Sequence, residues 1–216
     1  MNVIFGASGF AKEVLFLIER INEAGEDIRE IDYFVAADSD PLIGSMIKKI
    51  SVVSSSYFFE KFNKKQINCF VAVGSPALKQ KIVLNLREEM HPVFPSLIDP
   101  SVVFDKTSGA VAFGEGVVIC AGSILTTDIK IASFVHINLD CTVGHDCSVG
   151  EYSTLSPGVH VSGNVKMGSK VFIGTGAVVL EKIEIIENSV VGAGAVVTSN
   201  INDPGVYIGM PAKKRG

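Results

Sequence analysis

From Phe113 to Leu155 the chain reads FGEGVVICAGSILTTDIKIASFVHINLDCTVGHDCSVGEYSTL, and within it a large apolar residue returns at every sixth position. The series is Phe113, Ile119, Leu125, Ile131, Ile137, Val143, Val149 and Leu155, and it continues through Val161, Met167, Ile173, Val179, Ile185, Val191 and Val197. A period of six fits neither a 3.6-residue helix nor a two-residue strand, so it describes a coil with several equivalent faces. Four residues after the large positions come small or β-branched ones, among them Val117, Ser123, Cys141, Cys147, Ser153, Val159, Ala177, Ala195 and Ile201. Both series are predicted to point inward, the large residues filling a prism and the smaller ones its corners. Gly114, Gly144, Gly150, Gly168, Gly174 and Gly192 directly follow large residues, where a turn favours glycine. Three hexads make one triangular coil, so residues eighteen apart stack about 4.8 Å above one another. Ile98 and Phe104 carry the rhythm earlier, and Ala110 to Ala112 act as a three-residue slip.

Residues 1–95 differ in kind. Met1 to Phe5 is a short apolar strand followed by a helix near Ala11 to Ala24. Strands around Tyr33 to Ala37 and Cys69 to Val73 and a helix near Pro76 to Met90 complete an alternating pattern that implies a small Rossmann-like parallel α/β sheet. Pro92, Pro95 and Pro100 favour an extended linker over His91 to Pro100. Two domains are expected, 1–95 for nucleotide-sugar binding and 96–216 as a β-helix.

Composition narrows the classes. The 216 residues carry a formal net charge of −4 with scattered basic residues, which leaves no footprint for nucleic acid. The abundant Val and Ile recur at coil spacing without a run long enough to span a bilayer, and no signal peptide precedes the first strand. A cytoplasmic protein with no membrane partner is the expectation. Cys69, Cys120, Cys141 and Cys147 form no C-x-x-C pair and read as reduced core thiols.

Two regions carry candidate chemistry. Val3 to Ala11 is a strand entering a glycine turn that opens a helix, where backbone N–H groups and the helix N-terminus hold an anion. It departs from the dinucleotide fingerprint, since Ser8 replaces the second glycine and Ala11 the third, and a tight turn without ligand remains the alternative. Strand ends at Ala37-Asp38 and Gly74-Ser75 are expected beside it. In the repeat, His145 precedes Asp146, follows Gly144, and lies one coil below Gly163. A glycine there leaves room over an imidazole and bares a backbone N–H, which suits a general base beside a tetrahedral oxyanion. Pro157, Thr175 and Ala193 stack as a column of compact residues able to take a long thin ligand arm, with corner packing the alternative; His136 and Thr154 stack likewise. A zinc site of His136, His145 and His160 is the rival, opposed by spacings that separate them within one chain.

These residues resemble the bacterial sugar acyltransferases of the NeuD and PglD type, along Gly6-Ala-Ser-Gly9, Val71-Ala-Val-Gly74, Asn138, Gly144-His-Asp-Cys147, Gly163-Asn-Val, Gly174 and Gly209-Met-Pro-Ala-Lys213. The resemblance implies a left-handed β-helix, although the handedness rule for parallel crossovers favours the right hand. It further implies acetyl-CoA as co-substrate without metal, and a homotrimer with sites between subunits. By resemblance His145 is the general base and Asp146 its acidic partner, Asn138 lies near the acceptor sugar, and Gly163 offers its amide to the thioester oxygen. Thr175 and Ala193 line the pantetheine groove, with Thr154 near the acetyl group. Ser8, Gly9 and Phe10 hold the nucleotide, with Asp38 and Gly74 nearby. The chain departs from its relatives in having Phe10 and Thr154 where they carry histidines, Ala37-Asp38 for an acidic pair, and Gly144 where they often have Glu.

The expected activity is acetyl transfer to the amine of a nucleotide-linked sugar, of the UDP-4-amino-4,6-dideoxyhexose kind. The alternatives are O-acetylation of the sialic acid type, a non-catalytic trimeric scaffold that senses a nucleotide, and a γ-carbonic-anhydrase-like zinc enzyme.

Overall fold

A computed structural model describes all residues of the chain except Glu26, Asp27, Arg29, Ser108 and Gly216. The chain divides into two compact units, Met1–Pro95 and Ser96–Gly216.

The first unit runs β1 (Asn2–Phe5), α1 (Gly9–Glu23), β2 (Tyr33–Ala36), β3 (Met46–Ile47), β4 (Ile50–Ser54), α2 (Ser55–Phe62), β5 (Gln66–Val71), α3 (Pro76–Glu89) and β6 (His91–Val93). The sheet order is β3-β4-β2-β1-β5-β6, and every pairing is parallel but the antiparallel β3–β4 hairpin. All residues of β1 are buried, which is why Val3, Ile4 and Phe5 follow one another without polar alternation, while the buried Asn2 bonds through its side chain to Asn68 and Glu30 O. Helix α1 buries Ala11, Val14, Leu15, Leu17, Ile18 and Ile21, a stripe at helical spacing.

The sequence assigns no element between Ala37 and Cys69, yet β3, β4 and α2 lie there. Their strands are short and flanked by serines, and α2 is held by aromatic packing that has no period to read. The Phe58 ring is buried 5.6 Å from Phe5 and 5.1 Å from Phe62. The proline segment is extended as expected, but its start pairs as β6 at the sheet edge, where the missing N–H of Pro92 costs no ladder bond.

The second unit is a left-handed parallel β-helix of three sheets. Sheet I stacks Leu97–Ile98, Val118–Ile119, His136–Ile137, Thr154–Leu155, Phe172–Ile173 and Val190–Val191, then Val206–Ile208 and Lys213–Lys214. Sheet II stacks Val103–Phe104, Ile124–Leu125, Thr142–Val143, His160–Val161, Val178–Val179 and Val196–Val197. Sheet III stacks Val111–Phe113, Ile129–Ile131, Ser148–Val149, Lys166–Met167 and Glu184–Ile185. Val118 pairs with His136, Ile124 with Thr142 and Lys130 with Ser148, each eighteen residues on. Below them Leu97 pairs with Val118 and Val103 with Ile124, twenty-one residues on, so the three-residue slip lies between Phe104 and Phe113. The large series from Ile119 to Val197 is buried, as are its small partners.

The glycines after the large residues have a different reason from the one the sequence suggests. The left-handed corner residue sits two places further on, at Gly116, Gly122, Asp128, Phe134, Asp140, Asp146, Tyr152 and their successors to Gly194. Gly114, Gly150 and Gly174 are required by close approach of coils: a Cβ at Gly150 would lie 2.4 Å from the Gly168 carbonyl carbon, and one at Gly174 2.5 Å from the Ala193 nitrogen. The last strand reverses direction, with Ile208 opposite Lys213 and Tyr207 opposite Lys214. No helix among the described residues is long and apolar enough to cross a membrane.

Candidate active site

His145 and Asp146 occupy the corner between sheets II and III. Asp146 takes the left-handed backbone position at φ 60°, which brings its carboxylate back to its neighbour where an extended pair would point apart. The His145 Nδ1 lies 2.7 Å from Asp146 Oδ2, and the two side chains are 58 % and 53 % exposed. With Nδ1 donating to the carboxylate, Nε2 keeps its lone pair and is the nitrogen free to accept a proton.

Directly above sits Gly163. A Cβ there would fall 2.6 Å from His145 Nε2 and 2.7 Å from Cε1, so the imidazole already fills the space of a side chain. The Asn164 N–H donates to the His145 carbonyl at 2.8 Å and fixes the two coils in register. The Gly163 N–H makes no hydrogen bond among the described residues and remains available as a donor. Gly144 is confined from the same side, since its Cβ would lie 2.7 Å from the Gly163 nitrogen. Any side chain at 144 needs a wider coil spacing than this one.

The other repeat residues stand elsewhere. Thr175 and Ala193 are exposed at the corner between sheets I and II, above the half-buried Pro157, and their backbone is joined by Gly176 N–H to Pro157 O at 2.9 Å and Gly194 N–H to Thr175 O at 2.8 Å. Asn138 belongs to that corner and accepts the Leu139 N–H through Oδ1 at 2.8 Å. Thr154 and His136 are neighbouring rungs of sheet I, and both are buried. His160 faces outward on sheet II, with Nδ1 2.9 Å from Thr142 Oγ1. The three histidines thus sit on a sheet, a corner and another sheet. No group of three or more His, Cys, Asp or Glu side chains among the described residues is placed to hold a metal.

In the first unit the strand order reverses direction on either side of β1, the place where ligands of such sheets lie beyond the strand ends. Gly6 follows β1 at φ 125°, and its Cβ would meet Ala72 O at 2.6 Å, so only glycine passes there. Ser8 caps α1 without a side-chain hydrogen bond, no acidic residue occupies the first turn, and Gly9 faces open space. The other two helix starts are already satisfied, by Ser54 on Tyr57 N–H and by Ser75 on Leu78 N–H. The α1 start is therefore the one suited to a phosphate. Ala11, in place of a fingerprint glycine, is buried at the helix–sheet contact.

Asp38 follows β2 with its Oδ1 accepting the Ser56 N–H and the Ser55 hydroxyl, each at 2.9 Å. The Ser56 amide first, then the Ser55 hydroxyl, holds this carboxyl below the usual value. Sequence reading missed Ser55 and Ser56, whose signal was the serine run opening an unrecognised helix. Gly74 lies in the loop between β5 and α3, facing open space. A cavity of about 660 Å³ lined by Asn2, Glu30, Asp32 and Asn68 lies at the amino ends of β1 and β5, opposite Gly6, and its carboxylates suit no phosphate.

Residues 3–86 match the family model described as the PglD N-terminal domain. The chain is 29 % identical over 185 residues to GDP-perosamine N-acetyltransferase of Escherichia coli O157:H7, covering 83 % of this chain and 78 % of that one. Among solved structures it is similar to PerB from Caulobacter crescentus in complex with CoA and GDP-perosamine, with a TM-score of 0.83 and 31 % identity over 100 % of this chain and 97 % of PerB. It is also similar to the acetyltransferase domain of PglB from Neisseria gonorrhoeae FA1090 in complex with acetyl coenzyme A, with a TM-score of 0.83 and 27 % identity over 99 % and 98 %.

Proposed function

Because this chain belongs to the PglD-like hexapeptide-repeat sugar acetyltransferases, we propose that it moves the acetyl group of acetyl-CoA onto the amine of a nucleotide-linked amino sugar, with His145 as general base. The observation that carries the reading is the pairing of His145 Nδ1 with Asp146 at 2.7 Å while Nε2 faces the bare Gly163 backbone.

The amine attacks the thioester carbonyl, and His145 Nε2 takes the proton that the nitrogen sheds. Asp146 orients the ring and stabilises the imidazolium. The Gly163 N–H donates to the oxygen as the carbonyl becomes tetrahedral. Collapse expels the CoA sulfur, and the imidazolium returns the proton to it. The nucleotide diphosphate rests on the α1 N-terminus at Ser8, Gly9 and Phe10, with Asp38 and Gly74 at the adjoining strand ends. Three copies of the chain form the working unit, with Thr175 and Ala193 lining the pantetheine path. A GDP-linked amino sugar stands beside the UDP-linked one expected from the sequence as a candidate acceptor, because relatives that match most of the chain are named for GDP-perosamine.

General-base help is worth about 10² to 10⁴ in rate, so His145→Ala is expected to lose turnover in that range while keeping the fold. Incubation with acetyl-CoA and a panel of GDP- and UDP-amino sugars, with mass detection of product, checks both points. Activity within a few-fold of the parent overturns the His145 assignment.

A further inference from the structure

The start of α2 is held from outside its own helix. Ser54 caps it locally, its hydroxyl oxygen accepting the Tyr57 N–H at 3.2 Å. The Ser56 N–H donates instead to Asp38, eighteen residues earlier, and the Ser55 hydroxyl donates to the same Oδ1, each at 2.9 Å. Both bonds fall on one carboxylate oxygen and leave Oδ2 with lone pairs to offer. The Ser56 amide first and the Ser55 hydroxyl second hold this carboxyl below its usual value, so it is an acceptor only. A clasp that merely tied the end of β2 to α2 gains nothing from an accessible carboxylate, yet Asp38 is exposed.

The surroundings of Asp38 fit a nucleoside. Strand β2 lies beside β1, about 4.8 Å away, and β1 leads through Gly6 into the α1 start, where a phosphate is suited. A ribose joined to a diphosphate there reaches the next strand end, and its two hydroxyls are the donors that a carboxylate accepts. Just beyond Asp38 the chain turns tightly, with the Asp40 N–H on Ala37 O at 2.8 Å and the Leu42 N–H on Asp40 Oδ1 at 2.9 Å. This loop shows Leu42 and Ile43 at the surface, 36 % and 38 % exposed, which offers apolar contact to a base.

We infer that Ser55 is a positioning residue for nucleotide recognition: with the Ser56 amide it fixes Asp38 through Oδ1, so that Oδ2 is presented in one place to the ribose hydroxyls. The carboxylate is then ordered before the ligand arrives, which spares binding that cost. The clasp rests on the nucleotide-sugar reading for its ligand and on nothing in the acetyl-transfer step.

Calorimetric titration of the protein with GDP and UDP, each beside its 2′,3′-dideoxy counterpart, tests the clasp. For the nucleotide that the parent binds more tightly, loss of the two hydroxyls is expected to weaken binding by about tenfold or more. In Ser55→Ala and in Asp38→Ala this ratio is expected to shrink to about threefold or less, whereas Ser55→Thr, which keeps the hydroxyl, retains it. Ser54→Ala removes the local cap of the same helix and is expected to lower the melting temperature while the ratio stays at the parent's value. The ratio is the deciding quantity because a general loosening of α2 weakens both ligands alike. Circular dichroism is expected to show all four variants folded. A Ser55→Ala or Asp38→Ala variant with the parent's ratio overturns the inference, as does a Ser54→Ala variant that loses it. A parent that binds a nucleotide without regard to the hydroxyls overturns it while the nucleotide reading stands, and a parent that binds neither nucleotide overturns both. If the ratios come out as expected but no nucleotide-linked amino sugar is acetylated, the acetyl-transfer reading fails and the clasp stands.

Discussion

Gly163 has no side chain because the imidazole of His145 stands where one would go. A methyl added there meets Nε2 at 2.6 Å, and the yielding partner is the exposed end of a rotatable side chain rather than backbone. The backbone at 163 is outside the left-handed region, so alanine strains nothing else. Gly163→Ala is therefore expected to swing the base aside and reduce kcat by about 10²-fold or more while the melting temperature barely moves. A steady-state assay paired with a thermal melt checks this; an undiminished kcat shows that the ring need not lie beneath that amide. The His145–Asp146–Gly163 constellation was legible in the sequence because eighteen-residue stacking converts sequence distance into height. The role of Asp38 was only half legible. Its proximity to the strand ends followed from the α/β pattern, but its engagement with Ser55 and Ser56 depends on a helix whose packing is aromatic rather than periodic.

At the scale of the coil, glycine serves spacing. Gly150 and Gly168 bring two backbones so close that a Cβ on the lower one would lie 2.4 Å from a carbonyl carbon of the upper. Neither partner has a rotamer to change. Gly150→Ala is expected to destabilise the β-helix by roughly 1–3 kcal/mol, the cost of overpacking a filled interior, read as a lower denaturant midpoint. An unchanged midpoint means the coils can separate there at little cost. The inward series was legible because every coil repeats the same demand for a large residue on each face. The corner conformation was not, because its residues share a backbone angle and no chemistry: Asp128, Phe134, Tyr152 and Lys170 all sit near φ 60° beside the glycines that make such angles easy. Phe134 and Tyr152 offset some of that strain by stacking, with ring centroids 5.2 Å apart and planes 5° from parallel.

Across the whole β-helix each coil touches only its neighbours, so stability accumulates coil by coil. The interior thiols of Cys141 and Cys147 share in that dry stack, reduced rather than disulfide-bonded, and burial pushes Cys141 up to about 11. A stack of parallel strands has no natural stopping point, and its last coil offers open N–H and C=O groups to any matching strand. The reversed strand at Lys213–Lys214, running antiparallel to Tyr207–Ile208, ends that opportunity on sheet I with two exposed cations. Truncation after Asp203 removes it and uncovers the ladder at Val190–Val191. The shortened protein is expected to scatter light and bind amyloid dyes on standing, where the parent stays clear; a truncated protein that stays equally clear shows that the cap is dispensable. The final hairpin thus behaves as a terminator in the polymer sense, keeping a template that is built for indefinite growth from recruiting its own kind.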